Sequence, residues 1–337
     1  MAELVAPAPA PAPAPALGRG GVNGRYLATR LAHSVFVVWA AYTFSFVVLY
    51  LVPGDPVEMM VSNGGVISVT SEQIAELRAE FGVDQSPPAQ YLTNLWHAVH
   101  LDFGRSLQRG QPALDIIAGA VAPTVALAGA AIVLAVTVGW ALALWATLTR
   151  VRWMQRLVLL LPALGVAVPS FWIGLVLLQV LSFRWHVLPA FGDDGPRGLV
   201  LPTVTLAVPT AAFLSRMLAQ SLSRVLADPH VTTARAKGLG RWRIHLHHAL
   251  RNALPPVLAV AGVLVGNLLA GSVVVETVFS RPGLGRVVET AVTSKDIPVV
   301  QALVVLFAIV FVTVNLLADL AHHLLDPRVT LAGPRNG

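Results

Sequence analysis

The stretch Ile297 to Ala318 reads IPVVQALVVLFAIVFVTVNLLA, 22 residues without one ionisable side chain. As a helix rising about 1.5 Å per residue, it matches the roughly 30 Å hydrocarbon core of a bilayer. Five other runs free of Asp, Glu, Lys and Arg have comparable length: Leu31 to Val52, Ile116 to Thr149, Leu157 to Phe183, Gly198 to Ser215 and Ala253 to Val275. The second is long enough to hold an amphipathic lead-in, which places its span near Pro123 to Thr147. The fourth is short and is expected to continue helically past Arg216 to Leu226. The fold class these runs predict is all-α: a polytopic membrane protein with six transmembrane helices.

Composition agrees with that reading. Of 337 residues, 55% are apolar and 12% charged, with a mean hydropathy of +0.71. Soluble domains carry about 25% charged residues, so half of the usual polar cover is missing and lipid must supply part of the solvent. The absence of cysteine excludes disulfides and thiol-based nucleophiles or metal sites. The net charge of +6 is not interleaved with stacking aromatics, so no nucleic-acid partner is expected. The alternating Ala-Pro stretch from Ala6 to Ala16 favours an extended chain and lacks the apolar core of a signal peptide.

Orientation follows from the basic residues flanking the runs. The N-terminal tail, the loop with Arg150, Arg152 and Arg156, the segment Arg216 to Arg251 and the C-terminus together hold 15 basic residues and four acids. The opposite side holds 8 basic residues and 13 acids. Both termini are thus expected in the cytoplasm. The organisation is a tail over 1–24, a first span over 25–52, an external loop over 53–115, a five-helix core over 116–326 and a C-terminal tail over 327–337.

In the external loop, Thr70 and Gln73 have capping-box spacing before Ile74, Leu77 and Phe81. After Pro87-Pro88, the residues Tyr91, Leu92, Leu95, Trp96 and Val99 recur at helical spacing. A structured outer cap and a pair of interfacial helices are both open. Pro162, Pro169, Pro202 and Pro209 each remove a backbone donor from the third and fourth runs and are expected to bend them.

No phosphate-binding loop G-x-x-x-x-G-K-[ST] and no H-E-x-x-H or G-x-S-x-G pattern occurs. Near the membrane only Glu276, Asp319 and Arg216 carry charge, fewer than an ion-coupled carrier needs. Energy is expected to come from outside the chain, which is not itself an enzyme and holds no cofactor.

The connection between the fourth and fifth runs is the most informative. Asp228-Pro229 is a helix start with proline in the first turn. Thr233, Ala234 and Ala236 make a thin helix able to enter a groove, and Gly238 permits the left-handed turn that ends it. An amphipathic basic stretch, Arg241 to Pro255, re-enters the membrane. Read by charge alone, the same segment is a topology-fixing loop.

This segment resembles the coupling segment of ABC importer permeases of the dipeptide, oligopeptide and nickel family. Thr232-Thr233-Ala234 followed by Gly238 stands where that superfamily has Glu-Ala-Ala-x-x-x-Gly, without the glutamate. Arg235-Ala236-Lys237-Gly238-Leu239 and His248 to Pro255 look like this branch's form. Further matches are Pro53-Gly54-Asp55-Pro56, Leu101 to Leu107, Glu276 to Arg286 and Asp326-Pro327-Arg328. They cover about residues 25 to 330.

The resemblance implies a type I importer permease paired with a second homologous permease. Two ATPase subunits bind the ATP and Mg, and an extracytoplasmic substrate-binding protein delivers cargo. Docking to the ATPase would fall to Asp228, Thr233, Ala234, Arg235, Lys237 and Gly238 in a coupling helix over 228–240; Arg235 and Lys237 face either the ATPase or anionic membrane lipid. Arg281, Pro282, Gly283 and Arg286 form a candidate receptor-contact loop, with packing against neighbouring loops as the other reading. Ser170, Gln179, Thr205, Thr210 and Asn267 are candidates for the pathway, with interhelical hydrogen bonding as their alternative. His245, His247 and His248, with His322 and His323, are read as polar faces and not as a metal site. Di- or oligopeptides are the expected cargo. Nickel, glutathione or an oligosaccharide on the same architecture is the alternative, and a stand-alone secondary carrier or a membrane-embedded enzyme the more distant one.

Overall fold

Helices, most of them dictated by the apolar runs, make up most of the described chain. The computed structural model describes residues 24–50, 86–149, 167–191 and 195–325, with Val151, Trp153, Leu160 and Gly165 besides. The expected capping box at Thr70, the motifs at Pro53 to Pro56 and Asp326 to Arg328, Pro162 and the two tails lie outside the described residues.

In chain order the helices are α1 (Gly24–Tyr50), α2 (Pro87–Val99), α3 (Ala113–Leu148), α4 (Ser170–Arg184), α5 (Gly195–Leu226) and α6 (Pro229–Ala236). There follow α7, made of Arg241–Arg243, a π-helical stretch Ile244–Ala249 and Leu250–Ala259, then α8 (Ala261–Val278), α9 (Leu284–Thr293) and α10 (Ile297–Leu325). Among the described residues α1, α3, α5, α8 and α10 are long and apolar enough to cross a membrane, and α4 is a shorter apolar helix.

The departures from expectation have local causes. The third run is not one helix: Pro169, extended at φ −58° and ψ 136°, precedes α4 and starts it instead of bending it. Its last turns, Leu178–Arg184, are π-helical. The fifth run breaks at Val260, whose N–H reaches the Val257 carbonyl, three residues back instead of the helical four. Pro255 and Pro256 have already removed two donors from the preceding turns. Beyond the break, the Asn315 amide of α10 lies against Gly262 where a side chain would stand, which fixes the start of α8. Helix α3 runs unbroken for 36 residues through Pro123. That is about 54 Å at 1.5 Å per residue, well beyond one bilayer core, so its first turns extend out of the span as a lead-in.

Helix α5 is the hub. Leu201, Leu206, Ala211, Leu214, Leu218 and Leu222 are buried against α3, α4, α7 and α8. Small residues allow the close approach: a β-carbon on Gly139 of α3 would lie 3.1 Å from the Ala211 carbonyl oxygen, and one on Gly174 of α4 would lie 3.2 Å from both Thr205 and Phe279. Helix α1 packs along α10, with Arg30 and Asp319 paired at 2.8 Å.

Tyr91 anchors α2 to α1. Thr43 donates its hydroxyl to the Trp39 carbonyl at 2.8 Å and so accepts the Tyr91 hydroxyl at 2.8 Å. The Tyr91 ring meets Phe46 edge-on at 5.3 Å and Tyr42 at 6.1 Å. Tyr91→Phe is expected to cost only the hydroxyl's bond, about 1 kcal/mol, whereas Tyr91→Ala should detach α2. Hydrogen exchange across Pro87–Val99 separates the two. Equal loosening in both variants would show that the ring contacts do not hold this helix.

Candidate functional site

Two groups of residues carry the chemistry. The first is the connection from α5 to α7. Asp228 is extended and precedes Pro229 at the first turn, as the sequence predicts, although its carboxylate caps no N–H and instead lies 3.8 Å from His230 Nδ1. At the far end Gly238 has φ +82°. Its N–H donates to the Arg235 carbonyl at 2.9 Å and the Leu239 N–H to the Ala234 carbonyl at 3.2 Å, closing a left-handed cap.

One face of α6 is rooted in the protein. Val231 is fully buried and Ala234 nearly so, against Ile244, with Leu226 and Leu239 at the edge. The other face, carrying Thr232, Thr233, Arg235, Ala236 and Lys237, is exposed. Ala234 is therefore corrected: it packs inward and is not available to another subunit's groove, because the three-residue step from Val231 sets it on the rooted face. Arg241 of α7 reaches the Thr147 carbonyl at the end of α3 with Nη2 at 3.5 Å.

The histidines of this stretch diverge. His245 is buried with Nδ1 2.8 Å from the Arg241 carbonyl, while His247 and His248 are exposed. Among the described residues no three His, Asp or Glu side chains are grouped so as to hold a metal.

The candidate pathway residues do not converge within the chain. Thr205, fully buried, donates to the Leu201 carbonyl at 2.8 Å, and Thr210 to Leu206 at 3.4 Å, so both hydroxyls bond within their own helix and not between helices. Ser170 opens α4 and is half-buried; Gln179 and Asn267 are exposed on α4 and α8.

The second group lies where α8 passes to α9, and sequence reading saw only its parts. Glu276 is 0% exposed. Its Oε1 accepts the Thr124 hydroxyl of α3 at 2.7 Å, and its Oε2 accepts the Gly285 N–H at 2.7 Å. Thr124 Oγ1 in turn accepts the Leu284 N–H at 2.7 Å. Arg281 lies within Coulombic reach of this carboxylate and donates from Nη1 to the Gly198 carbonyl at 3.3 Å. Arg281 and Gly283 are both buried, so neither presents a surface to a receptor; only Pro282 and Arg286 of the expected contact loop are exposed. Glu276 accounts for this: its carboxylate holds the Gly285 N–H and lies where a side chain on Gly283 would stand. The legible signal was a carboxylate ending an apolar run, followed within ten residues by Gly283-x-Gly285.

A comparable arrangement holds the other end of α9. The buried Asp296 accepts the Ser106 hydroxyl on Oδ2 and the Leu107 N–H on Oδ1 at 3.1 Å. Ser106 Oγ accepts the N–H groups of Gln108 and Arg109 at 3.3 and 3.0 Å. The motif Leu101 to Leu107 is thus the folded loop that ties α2 and α3 to the start of α10.

The chain matches a family model described as binding-protein-dependent transport system inner membrane component over residues 135–331. A probable peptide ABC transporter permease of Sinorhizobium fredii is 34% identical over 314 residues, covering 91% of this chain and 99% of the relative. The glutathione transport system permease protein GsiC of Salmonella typhimurium is also 34% identical, over 304 residues, 90% of this chain and 98% of that one. Among solved structures, the inward-facing MetNI methionine ABC transporter aligns with a TM-score of 0.51 at 18% identity, covering 63% of this chain and 97% of its counterpart. An amino acid ABC transporter with histidines aligns equally well at 14% identity over 62% of this chain and 94% of that one.

Proposed function

The chain belongs to the family of binding-protein-dependent transport system inner membrane components, and from that premise we propose that it forms one half of a pathway for importing short peptides. It is a permease subunit of an ATP-binding-cassette importer, a multi-pass protein of a prokaryotic inner membrane. The peptide assignment draws on the relative named for peptides, and glutathione, which another relative is named for, stays the alternative cargo.

The observation that carries the mechanism is α6: a short helix with one face rooted on Val231 and Ala234 and the other exposing Arg235 and Lys237. The chain has no nucleotide-binding loop of its own. We place the exposed face of α6 in a cleft of an ATPase subunit, at the cytoplasmic end of six spans. ATP and Mg bound by two such subunits would close them and push α6. The push passes through Ile244 and Leu226 into α7 and α5, the hub of the bundle, and tilts it between inward-open and outward-open states. This chain performs no catalysis.

Gln179 and Asn267, exposed on largely apolar helices, are the polar groups we assign to the second permease and the shared pathway. Exposed to lipid, each amide would be costly; between subunits each has partners. The outer surface around Pro282 and Arg286 meets the substrate-binding protein, and membrane lipid surrounds the rest.

The test is purification of the tagged chain from its native membrane, followed by reconstitution into vesicles. Two ATPase subunits and a second permease should copurify. Uptake should require ATP and the receptor, whose bound ligand should be a short peptide by mass spectrometry. Uptake without nucleotide would remove the importer mechanism, and a receptor carrying a metal, glutathione or a sugar would remove the cargo.

A further inference from the structure

The N-terminus of α9 is capped from outside. Gly283, the residue before it, has no side chain to satisfy the first free N–H groups of the helix. Those of Leu284 and Gly285 are taken instead by Thr124 of α3 and Glu276 of α8, each at 2.7 Å. Thr124 and Glu276 are bonded to each other, so one buried triangle joins three helices.

The other end is fixed as firmly. Lys295 turns the chain at φ +53°, and the Asp296 N–H donates to the Ala291 carbonyl at 2.8 Å. The Asp296 carbonyl accepts the Val300 N–H at 3.0 Å, opening α10, while its carboxylate holds Ser106 and Leu107. Between the ends, Leu284 and Ala291 are buried against Ala113, Ile117 and Ala120 of α3 and Val299, Ala302 and Leu303 of α10. The face left outside carries Arg286, Glu289 and Thr293 at helical spacing.

We propose that α9 is a strut locked at both ends by two buried carboxylates, Glu276 and Asp296, so that the receptor-facing surface moves as one body with the outer ends of α3, α8 and α10. Thr124 and Ser106 are then positioning residues for receptor docking. The proposal rests on the reading that the surface around Pro282 and Arg286 meets the receptor. It deepens that reading: the contact surface is a rigid face whose tilt is that of the spans. Motion driven from α6 would reach the receptor without a flexible joint, and receptor docking would bias the same helices in return.

The experiment uses the complete importer in lipid nanodiscs and measures ATPase rate against receptor concentration. Thr124→Val keeps the side chain's shape but neither bond, and Thr124→Ser keeps the hydroxyl. Thr124→Val is expected to raise the half-saturating receptor concentration about tenfold, as loss of a buried hydrogen-bond partner warrants, with the maximal rate within about twofold. Thr124→Ser should behave as the unmodified importer does. If Thr124→Val prevents assembly, Ser106→Ala carries the same comparison at the other end.

Arg286→Glu with Glu289→Lys, on the exposed face, tests the underlying docking reading separately. A shift there with none in Thr124→Val or Ser106→Ala overturns the strut and leaves the docking surface standing. No shift there removes the docking surface, and the strut's role with it. A lowered maximal rate at unchanged half-saturation in Thr124→Val also overturns the proposal, because it locates the defect in turnover and not in docking.

Discussion

Replacing Gly285 with alanine is expected to leave little folded importer in the membrane, an effect far beyond that of an ordinary methyl addition. A β-carbon at this position would fall on the Val273 backbone, 2.9 Å from its nitrogen and 2.9 Å from Glu276 Oε2. Neither neighbour is the loose end of a flexible chain. Val273 is mid-helix in α8, and the Glu276 carboxylate is fixed by Thr124. Helix α9 would have to move outward, and the N–H bonds of Leu284 and Gly285 would stretch with it.

Overpacking costs about 1–3 kcal/mol, and a buried carboxylate deprived of a partner costs about as much again or more. The sum is a large part of what holds a domain together. Gly119 on α3 is the control, since a β-carbon there meets nothing within 4 Å. Gly119→Ala should be neutral, or gain up to about 1 kcal/mol from helix propensity. Size-exclusion profiles and thermal unfolding of the detergent-purified complex compare the two. Equal stability of the two variants would mean that α9 does not sit on α8 as described.

Gly285 and Gly119 also mark how far sequence reading extends. Long uncharged runs signal spans because hydrocarbon tolerates no unpaired polar group, and α1, α5 and α10 follow their runs closely. The Asp-Pro start and glycine stop of α6 are equally legible, because a first-turn proline and a left-handed glycine act through their own backbone. What failed depended on partners distant in sequence. Ala234 looks like one more small surface residue until Ile244 folds beneath it. Glu276 read as a charge at a span end, yet its partners Thr124 and Gly285 stand 152 residues before and 9 residues after it. Arg281 and Gly283 belong to a loop that the family resemblance alone makes a receptor contact, and both are buried beside the same carboxylate. The pathway candidates Ser170, Gln179, Thr205, Thr210 and Asn267 do not meet one another within this chain, and their assignment remains a proposal.

The second large effect concerns α6. Gly238→Pro, or deletion of Ala234 to Leu239, is expected to abolish recovery of the ATPase subunits and all ATP-dependent uptake. Proline fixes φ near −65°, whereas Gly238 stands at +82°, and it removes the N–H that closes on Arg235. A helix of eight residues has no stability of its own, so loss of its cap and of the packing beyond it unravels the segment. Val231→Asp should act alike from the opposite face, by placing a carboxylate in the fully buried contact with Ile244.

Arg235→Glu with Lys237→Glu alters only exposed charge. There α6 should remain protected from proteolysis while ATPase association weakens, most at low salt, where surface charges act over longer distances. The contrast separates a helix that must be folded from a surface that must be complementary. Full ATPase recovery with Gly238→Pro would mean that force enters the bundle elsewhere. Full recovery with the charge reversals but not with Gly238→Pro would mean that shape, not charge, seats α6 in its partner.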